Sequence, residues 1–216
     1  MLLQLPMVAD FLLVFTALFS IVNPIGTAFL FLEATKSRTL PQRNDLARKI
    51  ATYSFMIMLC SIWIGAYVLK FFGISIAALR LAGGFVVCAT AWQMLNGIDL
   101  SNHHEASTTD SDAGQDIAFV PLTMPMTTGP GTISVAIALG ANRPIGDFQL
   151  ARFAIASGAA VFLITCTILL CYRGAGRMVT HLGKSGVQTL SKLAAFLLLC
   201  VGMQIGLNGI QDFMGR

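Results

Sequence analysis

Two segments that contain Gly and Pro lie inside long apolar runs, where they place polar groups in the middle of a helix. They read Asn23-Pro24-Ile25-Gly26-Thr27 and Thr127-Thr128-Gly129-Pro130-Gly131-Thr132. Proline removes a main-chain donor and clashes with the preceding turn, so each segment should interrupt its helix. Asn followed by Pro also suits the N-cap and the first residue of a new helix. We therefore predict that both helices break and restart at these points.

The chemistry available at such a restart is hydrogen bonding to a small polar solute. The first turn of a helix has unpaired N–H groups and the positive end of the helix dipole, which together favour an anionic group such as a carboxylate. Thr hydroxyls and the Asn23 amide would add further hydrogen bonds. The alternative is that both segments are proline kinks whose freed groups are satisfied by neighbouring helices. We favour a substrate-binding site, with these members: Asn23, Pro24, Gly26, Thr27, Thr127, Thr128, Gly129, Pro130, Gly131 and Thr132.

The elements that must position these segments are transmembrane helices. Hydrophobic residues make up 56% of the 216 residues, and the mean hydropathy is +0.75. Charged residues make up only 11%, against about a quarter in an ordinary soluble domain. Six apolar runs approach or exceed the roughly 20 residues needed to cross a membrane: 8–32, 50–72, 79–98, 117–140, 150–172 and 190–213. We predict an all-α polytopic membrane protein with six transmembrane helices, of which the first and fourth are discontinuous.

A polar, acidic segment divides these helices into two groups of three. Residues 99–116 are rich in small and polar side chains, as expected of a linker. The predicted units are therefore a first three-helix repeat, 1–98, and a second three-helix repeat, 117–216. His103 and His104 lie in the linker without a third ligand at a suitable spacing, so we predict no metal site.

The two halves also resemble each other in sequence. An offset of 112 positions (209 − 97) aligns Leu95-Asn96-Gly97 with Leu207-Asn208-Gly209, and an offset of 105 aligns Gly26-Thr27 with Gly131-Thr132. Since each half has an odd number of helices, the second half must enter the membrane in the opposite sense to the first. Inverted repeats are common in secondary transporters, whose substrates bind at discontinuous helices near the midplane.

Basic residues predict the orientation and one pair of intramembrane cations. The first and fifth predicted loops hold eight Lys or Arg residues, and the second and fourth hold four. Because basic loops remain in the cytoplasm, we predict that both termini are periplasmic. The offset of 112 also pairs Arg80 with Lys192. These two cations either have a gating or charge role, or snorkel to the interface; we favour snorkelling.

The sequence lacks the signatures of several other protein classes. It has no nucleophile elbow, phosphate loop or paired intramembrane carboxylates, so we predict no enzymatic activity, no catalytic residues and no cofactor. Its dispersed basic residues form no face for nucleic acid. The predicted partners are a small-molecule solute and the lipid bilayer, and the sequence leaves open whether the chain forms a homo-oligomer.

Several segments together resemble the MarC family of bacterial inner-membrane proteins over essentially the whole chain. They are 23–26, 72–75, 79–84, 118–122 and 128–132. The resemblance implies six spans, both termini outside, and a distant similarity to transporters of small neutral amino acids. Many members of the family have Asp at the position that Asn23 occupies here. The amide of Asn23 cannot ionise, whereas an Asp carboxyl group can.

The leading functional hypothesis is a secondary transporter that moves a small neutral amino acid or a similar polar solute, as an exporter, by alternating access at the two broken helices. One alternative is a passive channel, because Asn-Pro at a helix start is similar to the motif of water and glycerol channels. Those channels place Asn-Pro on re-entrant segments, whereas here it interrupts a full span, which disfavours a channel. A further alternative is a non-transporting membrane protein of the stress response.

Overall fold

The computed structural model describes residues 6–35, 38–96, 118–144 and 146–215, and every regular element in these ranges is a helix. This confirms an all-helical chain for the described residues, and the predicted linker 99–116, with His103 and His104, lies outside them. The elements are α1 (Pro6–Val22), α2 (Pro24–Ala34), α3 (Leu40–Phe71), α4 (Ile76–Leu95), a π-helix (Ala118–Thr127), α5 (Pro130–Ala141) and α6 (Asp147–Met214).

Five helical stretches among the described residues are long and apolar enough to cross a membrane. They are Pro6–Leu32, Leu40–Phe71, Ile76–Gln93, Asp147–Gly176 and Ala195–Met214. Each overlaps one of the six predicted runs. The remaining run, 117–140, is divided between the π-helix and the shorter apolar helix α5. The breaks between α1 and α2 and between the π-helix and α5 fall at the two predicted interruptions.

The last element, α6, differs from the two separate helices predicted for this region. It is one helix of 68 residues, which would be about 100 Å long if it were straight. However, the Tyr172 hydroxyl contacts Thr127, and the Cδ1 atom of Ile205 lies beside Gly131. A straight helix would separate positions 172 and 205 by about 50 Å, far more than the four residues from Thr127 to Gly131 can span. The two ends of α6 therefore fold back toward each other.

The first part of α6, Asp147–Gly176, runs parallel to α1 and α2. Arg152, near its start, forms an ion pair with Asp10 near the start of α1, and the ring of Tyr172 stacks on Phe31 in α2 at a centroid distance of 4.6 Å. The core lies along this contact. It contains the fully buried side chains of Val14, Leu18, Met58, Ile164 and Ile168, which α1, α3 and α6 contribute.

The second part of α6, Ala195–Met214, runs antiparallel to α4. A Cβ added to Gly209 would lie 3.0 Å from the carbonyl oxygen of Ala77, and one added to Gly202 would lie 2.8 Å from the sulfur of Cys88. The glycines therefore allow the two helices to approach closely. This places the Gly202-x-x-x-Gly206 pattern inside the bundle, because a Cβ on Gly84 would clash with both of these glycines.

Helix α5 is held between α3 and α4. It runs parallel to α3, because Thr128 just before α5 contacts Ser54, and Gly140 near its end contacts Ile62. It runs antiparallel to α4, whose Gly83 lies beside Ser134 of α5. As a result, the starts of α1, α4 and α6 and the ends of α3, α5 and α6 share one face of the molecule.

Candidate functional site

The first break is centred on Asn23, which has the positive φ of 44°. Asn is one of the few residues other than Gly that adopt this left-handed conformation readily. Its Oδ1 accepts the N–H of Gly26 at 3.2 Å, and its carbonyl accepts the N–H of Thr27 at 3.0 Å. Asn23 is therefore the N-cap of α2, as its position before Pro24 predicts. The cap turns the helix without unwinding more than one residue.

The cap changes which groups are available at this break. Because the N–H of Gly26 is bonded to the Asn23 side chain, the carbonyl of Val22 loses its intrahelical partner. Pro24 has no N–H, so the carbonyl of Ser20 loses its partner as well. The expectation that both restarted helices offer unpaired N–H groups is therefore wrong in part for α2, whose own N-cap residue satisfies the Gly26 donor. What this break frees is mainly carbonyl groups.

The second break follows a π-helix held by threonines. The hydroxyls of Thr123 and Thr127 donate to the carbonyls of Ala118 and Leu122 at 2.6 and 2.8 Å, and the N–H of Thr128 donates to the carbonyl of Thr123 at 2.8 Å. Each of these bonds spans five residues, the spacing of a π-helix, which is rare in proteins and is frequently found at functional sites. Hydroxyls thus reinforce the wide turns before the break.

Helix α5 restarts without a side-chain cap. Gly129 is extended, with φ −82° and ψ −178°, and Pro130 occupies the first helical position. The first main-chain bond of α5 runs from Ile133 N–H to the Gly129 carbonyl at 3.1 Å. The N–H groups of Gly131 and Thr132 precede that bond, so they have no partner within the helix. This break offers donors, in contrast to the carbonyls of the first.

Tyr172 of α6 connects the two breaks. Its hydroxyl lies 2.7 Å from the Thr127 hydroxyl, and it also lies next to the Thr27 hydroxyl. Since the Thr127 proton is donated to the Leu122 carbonyl, Tyr172 donates to Thr127. The Thr27 hydroxyl donates to the Asn23 carbonyl at 3.1 Å. The result is a chain of neighbouring hydroxyls from α2 through α6 to the π-helix, in which every member is buried.

A second polar contact holds the break against α3. The Thr128 hydroxyl donates to the Ser54 hydroxyl at 2.7 Å, and both side chains are fully buried. Ser54 and Tyr172 were not identified from the sequence. Each of them is a polar side chain within an apolar span, and a buried tyrosine hydroxyl needs a hydrogen-bond partner. Nothing in the sequence indicated which residue that partner is.

A cavity lies against the second break and brings both interrupted spans together. Its volume is about 30 Å³, which leaves room for about two water molecules, since each requires at least roughly 10–15 Å³. Two of the wall residues flank the first break, Ile21 before it and Leu30 after it. The wall residues are Ile21, Leu30, Val86, Val87, Met126, Thr127, Gly129, Pro130, Gly131, Thr132 and Leu198.

The ten predicted site residues therefore have different positions. Half of them, Thr127, Gly129, Pro130, Gly131 and Thr132, line the cavity. The other half are not among its wall residues: Asn23, Pro24, Gly26, Thr27 and Thr128. Those of the second group shape the breaks and the hydroxyl chain, with Thr27 and Thr128 fully or almost fully buried.

Three charged contacts lie on the face shared by the start of α1 and the end of α3. Arg152 Nε is 2.9 Å from Asp10 Oδ2, and Arg80 pairs with Asp212 of α6. The Arg80 guanidinium joins α4 to α6 through Asp212 at this end of the bundle, a position that a side chain snorkelling to the interface would also reach. Lys192, the partner of Arg80 in the predicted repeat, is exposed.

Arg143 makes the third of these contacts, at the end of α5. Its guanidinium carbon lies 5.6 Å from the ring centre of Trp63 and 5.1 Å from that of Tyr67, both on α3. It also donates to the Tyr67 hydroxyl. A guanidinium stacked on aromatic faces is held by cation–π attraction. The three contacts join five of the packed helices, α1, α3, α4, α5 and α6, at one end of the bundle.

Metal ligands and free buried polar atoms are not found within the described ranges. No group of three or more His, Cys, Asp or Glu side chains there is arranged to hold a metal ion. Every buried side-chain nitrogen or oxygen described has a hydrogen-bond partner. The chemistry that the described site offers is therefore hydrogen bonding by hydroxyls and main-chain groups next to apolar walls.

Known proteins are similar to this sequence over nearly its full length. The sequence model described as MarC family integral membrane protein matches residues 8–214. The inner membrane protein MarC of Salmonella typhimurium is 34% identical over 206 residues, which cover 91% of this chain and 92% of that protein. Its counterpart in Escherichia coli is 33% identical over 203 residues, with the same coverage. No solved structure matches the chain significantly.

Proposed function

The chain belongs to the MarC family of integral membrane proteins, and on this premise we propose that it is a secondary transporter of the bacterial inner membrane. Its solute is a small neutral amino acid or a similar small polar molecule, moved outward. The observation that carries the proposal is the cavity between two interrupted spans, with the α5 donors in its wall. Discontinuous helices that meet inside the bilayer are typical of secondary transporter sites.

We also propose that the chain crosses the membrane six times in two inverted repeats, 1–98 and 117–216, joined by the linker 99–116. The packing between the helices supports this arrangement of two inverted repeats. The first span, α1 with α2, packs parallel to the first part of α6, the fifth span. Its repeat partner, the π-helix with α5, packs parallel to α3, the second span. The third span, α4, packs antiparallel to its own partner, the second part of α6.

The character of the walls supports a neutral solute. The eleven wall residues include no charged side chain, so a solute with a net charge would lack a counter-ion there. The unpaired N–H groups of Gly131 and Thr132 in the wall favour a carboxylate. The carbonyls freed at Ser20 and Val22, on either side of the wall residue Ile21, would favour an ammonium group once the walls move apart. A zwitterion would be neutralised by the two breaks together. Because the cavity holds only about two waters, a solute requires the walls to move apart.

The charged contacts hold the helices together around the small cavity, and so account for its closed form. If both termini are periplasmic, the pairs Asp10–Arg152 and Arg80–Asp212, together with Arg143, lie on the periplasmic face. The ion pair described on the opposite face, Asp45–Lys49, lies within α3 and joins no two helices. We propose that outward opening separates α5 and α6 from α1, α3 and α4 and so breaks these contacts.

The test is exchange of labelled Gly, Ala, Ser and Thr by purified protein in proteoliposomes, with and without ion gradients. The variant Thr127→Val removes a hydroxyl from the cavity wall and should reduce exchange at least tenfold. Thr167→Val is the matched control, because the Thr167 hydroxyl donates to its own helix at Leu163 outside the site. The elution profile of each variant shows whether it has folded.

Each outcome has a distinct interpretation. Saturable exchange that Thr127→Val loses and Thr167→Val retains supports the transporter. Non-saturable swelling of the vesicles without exchange indicates the passive channel. No flux for any solute in a broad panel contradicts both and favours a non-transporting membrane protein.

A further inference from the structure

The outward face of the second part of α6 carries a stripe of carboxamide side chains. Gln204, Asn208 and Gln211 follow one another at helical spacing, and all three are exposed. Ile205 and Gly209, which are buried, face the bundle. At about 100° per residue the stripe points away from these two, and so away from the protein. In a membrane-spanning helix, that direction leads into lipid.

The first two residues of the stripe, Gln204 and Asn208, lie deep in the membrane-spanning helix. Gln204 is close to the middle of Ala195–Met214, and Asn208 is about 6 Å nearer to the end. Hydrocarbon chains provide neither donors nor acceptors, so polar side chains in spans normally face protein or water. The middle of the other long span of α6 follows this rule, because large apolar side chains such as Ile155, Phe162 and Leu170 are exposed there.

Only some of the donors and acceptors of the stripe form hydrogen bonds within the chain. Gln204 Nε2 donates to Asn208 Oδ1 at 2.9 Å. Each carboxamide has two N–H groups and one carbonyl oxygen. The pair therefore retains the Gln204 carbonyl, one N–H of Gln204 and both N–H groups of Asn208 for another partner. That partner must present acceptors as well as donors at the same depth in the membrane.

We infer that Gln204 and Asn208 form the centre of a homodimer interface, in which the second part of α6 packs against the same helix of a second copy. Two copies share one orientation in the membrane, so a two-fold axis along the membrane normal brings each residue to the depth of its own counterpart. Gln204 and Asn208 of one copy then meet the same residues of the other. The amide stripe is complementary to itself in donors and acceptors, whereas lipid matches neither.

The glycine pattern of this helix does not compete for the interface. Gly202-x-x-x-Gly206 is occupied by α4 of the same chain. The dimer would therefore depend on amide hydrogen bonds and on the flanking side chains of Leu197 and Cys200, which are exposed on the same face.

The test counts subunits of the full-length protein, labelled at its C-terminus, by stepwise photobleaching in vesicles at low protein density. Wild type should bleach in two steps. The double variant Gln204→Met/Asn208→Leu keeps similar side-chain sizes and should reduce the dimer fraction at least tenfold. Asn96→Leu is the matched control, because it removes an exposed amide whose N–H bonds to its own helix at Trp92, and it should remain dimeric.

Two native cysteines locate the interface independently. Cys200 lies one turn before Gln204 and Cys60 is exposed on α3. Oxidation in the membrane should give a covalent dimer that is lost in Cys200→Ser and retained in Cys60→Ser. A monomeric wild type, a double variant that stays dimeric, or a dimer linked through Cys60 would overturn the inference. Exchange activity is measured separately, so a failure here leaves the transport proposal untouched.

Discussion

Replacing Gly140 with alanine tests whether α5 packs against α3 as closely as the structure shows. A Cβ at position 140 would lie 1.8 Å from the carbonyl oxygen of Ile62, whereas ordinary contact begins at 3.4 Å. The helices would have to move apart by the difference, about 1.6 Å. Overpacking costs about 1–3 kcal/mol, and we expect the upper part of this range because the obstacle is main chain. The helix preference of Ala over Gly offsets about 1 kcal/mol.

The net loss of about 2 kcal/mol should lower the unfolding temperature by about 4–8 °C in a chain of this size. The assay heats detergent-solubilised protein and measures the fraction that remains monodisperse. Gly158→Ala is the control, because a Cβ there has no neighbour within 4 Å. It should raise the unfolding temperature by about 2–4 °C through helix propensity alone.

Gly65→Ala should give an intermediate result, since its obstacle is the Ile137 side chain at 2.2 Å, which can change rotamer. The order of unfolding temperatures is therefore Gly140→Ala lowest, then Gly65→Ala, then Gly158→Ala. If Gly140→Ala were as stable as Gly158→Ala, the close approach of α5 to α3 would be refuted. The cavity geometry would then lose its support, because α5 provides most of the polar wall.

Three further substitutions test the site and the charged face. Asp10→Asn leaves the half-buried Arg152 unpaired and should cost about 2 kcal/mol, between typical exposed and buried pairs; exchanging the two side chains, Asp10→Arg with Arg152→Asp, should restore the unfolding temperature. Asn23→Ala should be less stable than Asn23→Gly by about 1 kcal/mol, because both lose the cap but only Ala is strained at positive φ. Tyr172→Phe should cost about 1 kcal/mol in stability and slow exchange, and unaltered exchange would show that the hydroxyl chain has no part in transport.

The helix breaks were predictable because proline acts locally. Pro24 and Pro130 remove a donor wherever they stand, and Asn23 caps the turn that follows it. The five apolar spans were predictable for a similar reason, since length and composition decide whether a helix can cross a membrane.

The contacts between spans were not predictable, because they depend on packing between residues far apart in the sequence. Tyr172 and Ser54 gave no periodic signal, and their partners follow from how α6 and α3 pack. The repeat paired Arg80 with Lys192, but Arg80 contacts Asp212, which the offset does not relate to it. The sequence predicts a loop over the Gly-rich residues 173–189, and the chain does reverse direction between the two parts of α6. The residues are nevertheless helical, because they contain no proline to end a helix.

The π-helix before the second break contains more residues in a given length than an α-helix would. With hydrogen bonds that span five residues instead of four, it holds more residues per turn than an α-helix does. If Ala118–Thr127 rewound to the α register, each bonded group would exchange its partner for the next carbonyl and the same residues would form a longer helix. The end at Thr127 would then advance and rotate. Pro125 has no N–H in either register, so rewinding would leave the Pro121 carbonyl without a helical partner in place of the Val120 carbonyl. A shift of the cavity wall by this route therefore exchanges one unpaired carbonyl for another, and a proline within an α-helix also clashes with the preceding turn.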